Sequence, residues 1–159
     1  MTANKNNAAC FTGHRTLSNK KIERIVKCLK EEIDSLIQQG VTDYITGGAL
    51  GFDHIVASMI ISKKEQGAEI RLIFALPCRN QDDKWTERQK QLYRSLLAEA
   101  DEIIYVAEEY TTDCMKKRNF FMVENSAYCI CALTKEISGT GQTVRYAQQQ
   151  GLKVVNVAK

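Results

Sequence analysis

Short apolar runs alternate with longer amphipathic stretches from one end of the chain to the other. The runs at 8–12, 43–46, 70–76, 102–106, 128–133 and 153–157 are rich in Ile, Val, Leu, Ala or Cys and read as strands, most of them buried on both faces. Between them the apolar positions recur every three or four residues. Over 18–39 the stripe Ile22, Ile25, Val26, Leu29, Ile33, Leu36 and Ile37 marks one face of a helix, with Ser18 placed as its N-cap and Gly40 as its stop. Further helices are expected over 52–66, closed by Gly67, over 84–100, over 115–127, and over 143–150, closed by Gly151.

Strict alternation of strand and helix is the signature of βαβ units. It predicts an α/β three-layer sandwich with a mainly parallel sheet of about six strands. No repeat, linker or low-complexity stretch interrupts the pattern, and 159 residues suit one core, so residues 1–159 are expected to form a single domain. Right-handed crossovers bring the C-terminal ends of parallel strands to one edge, where ligands of open α/β sheets bind. The segments directly after strands therefore carry the functional question.

The net charge of +3 is dispersed, with no basic arm or aromatic-rich basic groove, so a nucleic-acid partner is not expected. No apolar run is long enough to span a membrane and the N-terminus lacks the apolar segment of a signal peptide, so a cytoplasmic location is expected. The six cysteines show no zinc-type CxxC pair and read as buried free thiols, and no metal site is expected. Cys129 and Cys131, flanking Ile130, share one face of a strand, as core residues do.

After the first strand comes Phe11-Thr12-Gly13-His14-Arg15. Gly13 lets backbone approach a ligand, Arg15 can fork two hydrogen bonds to phosphate or carboxylate, and His14 can titrate or simply donate. After the second strand, Gly47, Gly48 and Gly51 lead into a helix whose free N–H groups suit an anion. The segment is neither GxGxxG nor a P-loop, so dinucleotide and ATPase chemistry of those kinds is not supported. Asp53, in the first helical turn, either caps the helix or accepts hydrogen bonds from ribose hydroxyls.

Three further segments complete the candidate edge. Gln81 is a polar contact candidate, and Trp85, the only tryptophan, either stacks on a base or packs its helix onto the sheet. Arg118 and Asn119 precede an apolar helix face. Ser138-Gly139-Thr140-Gly141 forms a second glycine-rich turn whose hydroxyls also suit phosphate oxygens. Two such turns on one edge, with Arg15 nearby, point to a small phosphorylated ligand rather than to connections alone.

Taken in order, FTGHR (11–15), GGALGFD (47–53), ALPCRNQDDKW (75–85), RNFFMV (118–123) and SGTGQTVRYA (138–147) resemble the YpsA-like proteins of the SLOG superfamily over nearly the whole chain. The resemblance implies a Rossmann-like fold related to DprA and to the Lonely guy phosphoribohydrolases. It also implies contacts to a nucleotide or nucleotide-derived ligand, such as an ADP-ribose-like compound, at Gly13, Arg15, Gly47, Gly48, Asp53, Gly139, Thr140 and Gly141. The phosphoribohydrolases carry PGGxGTxxE, whose glutamate serves N-glycosidic cleavage; here ISGTGQTVRY has Val144 and Arg145 around that position. The expectation is a binding or sensing domain with no required cofactor. Nucleoside-monophosphate N-glycosidase activity and DprA-like single-stranded DNA binding are the alternatives, and self-association is expected.

Overall fold

The computed structural model describes residues 4–159. Six strands, β1 (Ala8–Gly13), β2 (Asp43–Thr46), β3 (Arg71–Leu76), β4 (Glu102–Tyr105), β5 (Tyr128–Ala132) and β6 (Lys153–Asn156), form one sheet in the order β4-β3-β2-β1-β5-β6. Every neighbouring pair is parallel. Five helices connect them: α1 (Asn19–Gln38), α2 (Phe52–Glu65), α3 (Glu87–Ala98), α4 (Cys114–Glu124) and α5 (Gly139–Gln149). This is the Rossmann-like α/β fold.

The period of two in the strands sorts the core into two halves. Ala9 and Phe11 of β1, with Tyr44, Leu72 and Phe74, face Ile25, Leu29, Val56, Ile60 and Leu96 of α1–α3. Ala8 and Cys10, with Ile45, Ile73 and Cys129, face Met122, Val123 and Ala147 of α4 and α5. Three helices thus cover one face and two the other, which gives the three layers. Cys10 lies in register with Cys129, and these thiols are packed as core residues.

Helix ends follow local chemistry. Gly40, at φ +88°, closes α1: its N–H bonds Ile37 O and the N–H of Val41 bonds Leu36 O. The third helix starts at Glu87, three residues later than expected, because Thr86 and Gln89 form a capping box and 84 and 85 belong to the preceding turn. The fifth helix starts earlier than expected. Ser138 caps it by accepting from Gly141 N–H, so Gly139, Thr140 and Gly141 form its first turn.

The chain winds outward from β1 through β2 and β3 to β4, then returns to place β5 on the other flank of β1. That reversal sets the switch point of the sheet between β1 and β5.

Candidate functional site

Loops leaving β1 and β5 diverge at the switch point, and a cleft of about 230 Å³ opens between them. Thr12, Gly13, His14 and Arg15 line it from β1, Ala49 and Asp53 from the start of α2, and Gly139 and Thr140 from the start of α5. Helix α4 contributes Met115, Arg118, Asn119 and Met122, which are spaced i, i+3, i+4 and i+7 and so occupy one helical face.

Arg118 is 5% exposed, and its guanidinium is only partly satisfied by protein. Nη1 donates to Gly47 O at 2.5 Å and Nε to Asn119 Oδ1 at 2.8 Å, while Nη2 faces the weak acceptor Met115 Sδ at 3.7 Å. One N–H on each Nη is left for another acceptor. Asp53, 6% exposed, accepts from Ala49 N–H at 3.1 Å. Burial raises its carboxyl to about 6, against the opposing pull of Arg118 and Arg15, and burial likewise lowers the Arg118 guanidinium. The cleft therefore holds two cations and one carboxyl whose charge is costly to keep inside.

At the opposite wall, no group among the described residues accepts from the N–H of Gly139 or Thr140, since Ser138 Oγ takes only that of Gly141. These two donors sit at the positive end of α5 and border the cleft. Gly139 has open space where a Cβ would be, so no protein contact demands a glycine there. Gly141 is different: a Cβ would meet the Glu136 carbonyl oxygen at 1.9 Å, so this glycine admits the incoming loop.

His14 joins the two loops. Its Nε2 accepts the N–H of Thr134 at 3.0 Å, which requires the neutral ring with its proton on Nδ1. Burial, with a smaller contribution from the Lys135 charge, lowers its pKa and keeps it neutral. His54 holds the other tautomer, because its Nε2 faces the Gly48 carbonyl at 3.3 Å and must donate.

The structure brings Gly13, His14, Arg15, Asp53, Arg118, Asn119, Gly139 and Thr140 together on the cleft. Gly47, Gly48, Gly51 and Gly141 stand behind it. A Cβ on Gly47 would strike Arg118, one on Gly48 would approach Leu76, and one on Gly51 would meet the Arg15 backbone at 2.3 Å. Gly13 itself makes room for the ring of Phe52. Gln81 and Trp85 lie outside: Gln81 Nε2 donates to Tyr93 Oη at 2.9 Å, and Trp85 packs edge-on against Tyr93 and His54. Of the two readings of Trp85, packing is the one the contacts carry. Thr12, Ala49, Met115 and Met122 were not among the sequence candidates; the i, i+3, i+4, i+7 spacing around Arg118 is the signal that marks the two methionines. Among the described residues, no group of three or more His, Cys, Asp and Glu is placed to hold a metal ion.

Fold and cleft together define a Rossmann-like α/β domain with a cationic crevice at its switch point. Residues 10–155 match the YpsA family model, the YspA SLOG family, and the chain belongs to that family. It is 31% identical over 138 residues to the uncharacterized SPbeta prophage-derived protein YoqJ of Bacillus subtilis (strain 168), covering 76% of this chain and 81% of that one. A UPF0398 protein of Bacillus pumilus is 25% identical over 70% of this chain, which spans only 61% of that relative. Among solved structures, DNA processing protein A (DprA) of Helicobacter pylori aligns with a TM-score of 0.68 and 19% identity over 96% of this chain and 64% of its own; it is described for its single-stranded DNA binding mode. DprA of Streptococcus pneumoniae gives 0.66 and 16% over 92% of this chain and 48% of its own. These likenesses establish the shared fold. No helix among the described residues is long and apolar enough to cross a membrane.

Proposed function

We propose that the cleft binds a phosphorylated, nucleotide-derived ligand and that the protein is a binding or sensing domain. The observation that carries this reading is the convergence of Arg15, the unspent N–H groups of Arg118, and the free N–H groups of Gly139 and Thr140 on one crevice. The phosphate sits at the α5 N-terminus and against Arg15, where backbone and guanidinium donors act together. Asp53, beside Arg118, repels phosphate but accepts hydrogen bonds from sugar hydroxyls, so one cleft offers donors to a phosphate and an acceptor to a sugar. A ligand carrying only an anion leaves Asp53 unused.

Binding is favoured over N-glycosidic cleavage by what occupies the segment that bears the glutamate in phosphoribohydrolases. Val144 is buried, and the Arg145 guanidinium donates to the Glu136 carbonyl at 3.1 Å, so neither supplies a carboxylate to the cleft. Grooves for single strands commonly set aromatic platforms beside the cations; the sole tryptophan is instead engaged with His54 and Tyr93.

The test is thermal stability of the purified protein with AMP, ADP-ribose, NAD or inorganic phosphate, alongside Arg15→Ala. A ligand at about 100 times its Kd adds roughly 2.7 kcal/mol of stability. The expected result is a shift with at least one sugar phosphate, reduced in Arg15→Ala. No shift at millimolar concentration overturns the reading; release of free base from AMP assigns an enzyme instead, and salt-sensitive binding of a labelled oligonucleotide assigns the DNA alternative.

A further inference from the structure

We propose that Met115 is an oxidation site controlling this cleft, a step that rests on the anion-binding reading above. Met115 lies in the first turn of α4, is half-buried, and lines the cleft. Its Sδ is 3.9 Å from Nη2 of Arg15 and 3.7 Å from Nη2 of Arg118. Each guanidinium therefore directs an N–H at the same thioether, one of the weakest acceptors a side chain offers. The sulfur stands between two cations at the place where an oxygen could serve both.

Oxidation by a peroxide supplies that oxygen. The peroxide O–O bond breaks, an S–O bond forms on Sδ, and water leaves, so sulfur is oxidised while the peroxide is reduced. The sulfoxide oxygen is a strong acceptor beside two charged donors, and hydrogen bonds to charged groups are the stronger kind. It satisfies Arg15 and Arg118 internally and competes with a ligand phosphate for them. Methionine sulfoxide reductases reverse the step, which makes it a switch rather than a lesion. Of the other described methionines, Met122 is 1% exposed and Met59 lies in a groove between helices of the opposite layer, with no guanidinium bonded to its sulfur.

The experiment compares AMP binding by the full chain before and after hydrogen peroxide, with mass spectrometry locating the added oxygen. Oxidised wild type is expected to bind AMP about tenfold more weakly or worse, with affinity restored by methionine sulfoxide reductase. Met115→Leu keeps all six cysteines, and its own AMP affinity is expected to be unmoved by peroxide. An equal loss in Met115→Leu overturns the proposal, as does unchanged affinity with Met115 fully oxidised, or Met115 left intact where Met59 reacts. If untreated wild type binds neither AMP nor phosphate, the anion reading itself fails. Side-chain NMR then decides on Met115 without a ligand: slowed exchange of the Arg15 and Arg118 guanidinium protons on oxidation supports it, and unchanged exchange overturns it.

Discussion

Arg118 and Asp53 both crowd the place where a Gly47 side chain would stand, without joining in an ion pair. A Cβ at position 47 would lie 2.3 Å from Arg118 Nη1 and 2.9 Å from Asp53 Oδ2. The glycine therefore leaves the room both side chains occupy, and it is a condition of the cleft rather than a contact in it.

Gly47→Ala is expected to lose about 1–3 kcal/mol, since the new methyl displaces a buried guanidinium bonded to the residue's own carbonyl. Gly139→Ala, with open space around it, is expected to stay within about 0.5 kcal/mol of wild type. Urea midpoints measure both. If the two variants lose equal stability, the distinction between a glycine required by protein packing and one free of it is wrong.

Asp53 makes stability depend on pH in a defined direction. Its carboxyl goes from 3.8 in the unfolded chain to about 6 in the fold, so its contribution is complete below about pH 3.8 and is lost as pH rises through about 6. Asp53→Asn is expected to be more stable than wild type at pH 7.5 by roughly 2–3 kcal/mol. The gap opens between about pH 3.8 and 6 and levels off above. A gap that is constant from pH 4 to 8 would show that the carboxyl is not ionising in the interior.

The fold was legible because periodicity and punctuation agreed. Every expected strand and helix is present, and Gly40, Gly67 and Gly151 stop the helices they were expected to stop. Helix starts were less legible: the Thr86–Gln89 capping box outweighs the polar residues before it, and glycines at 139 and 141 conceal a helical turn capped by Ser138. Arg15 and Asp53 were singled out by their place after a strand, Arg118 and Asn119 as donors preceding an apolar helix face, and the fold brings all four to one cleft. The division of the glycines was not legible, because whether a Cβ meets a carbonyl at Gly141 or empty space at Gly139 depends on chain segments that meet only in the fold.

The capping box starts α3 away from the cleft. Thr86→Ala removes the acceptor of the Gln89 N–H, 3.2 Å away, and should cost about 1 kcal/mol while leaving ligand binding unchanged, because α3 does not border the cleft. Chemical denaturation and AMP titration of the same preparation test both halves.

The two histidines should differ in tautomer and agree in titration. His14 Nε2 accepts from Thr134 N–H, so its proton is on Nδ1; His54 donates from Nε2 to Gly48 O. Burial lowers both pKa values from 6.5. Each neutral ring therefore contributes stability that is complete above pH 6.5 and is lost as pH falls from 6.5 toward its lower folded value. Long-range nitrogen–proton NMR correlations are expected to show an Nδ1–H ring at 14 and an Nε2–H ring at 54, both holding neutral below pH 6.5. Protonation of His14 removes the acceptor that ties the β5–α5 loop to the β1 loop, so the Thr134 amide should lose hydrogen-exchange protection in the same pH range. An Nε2–H ring at 14, or a Thr134 amide whose protection ignores that titration, would mean that the two loops bordering the cleft are held together by something other than His14.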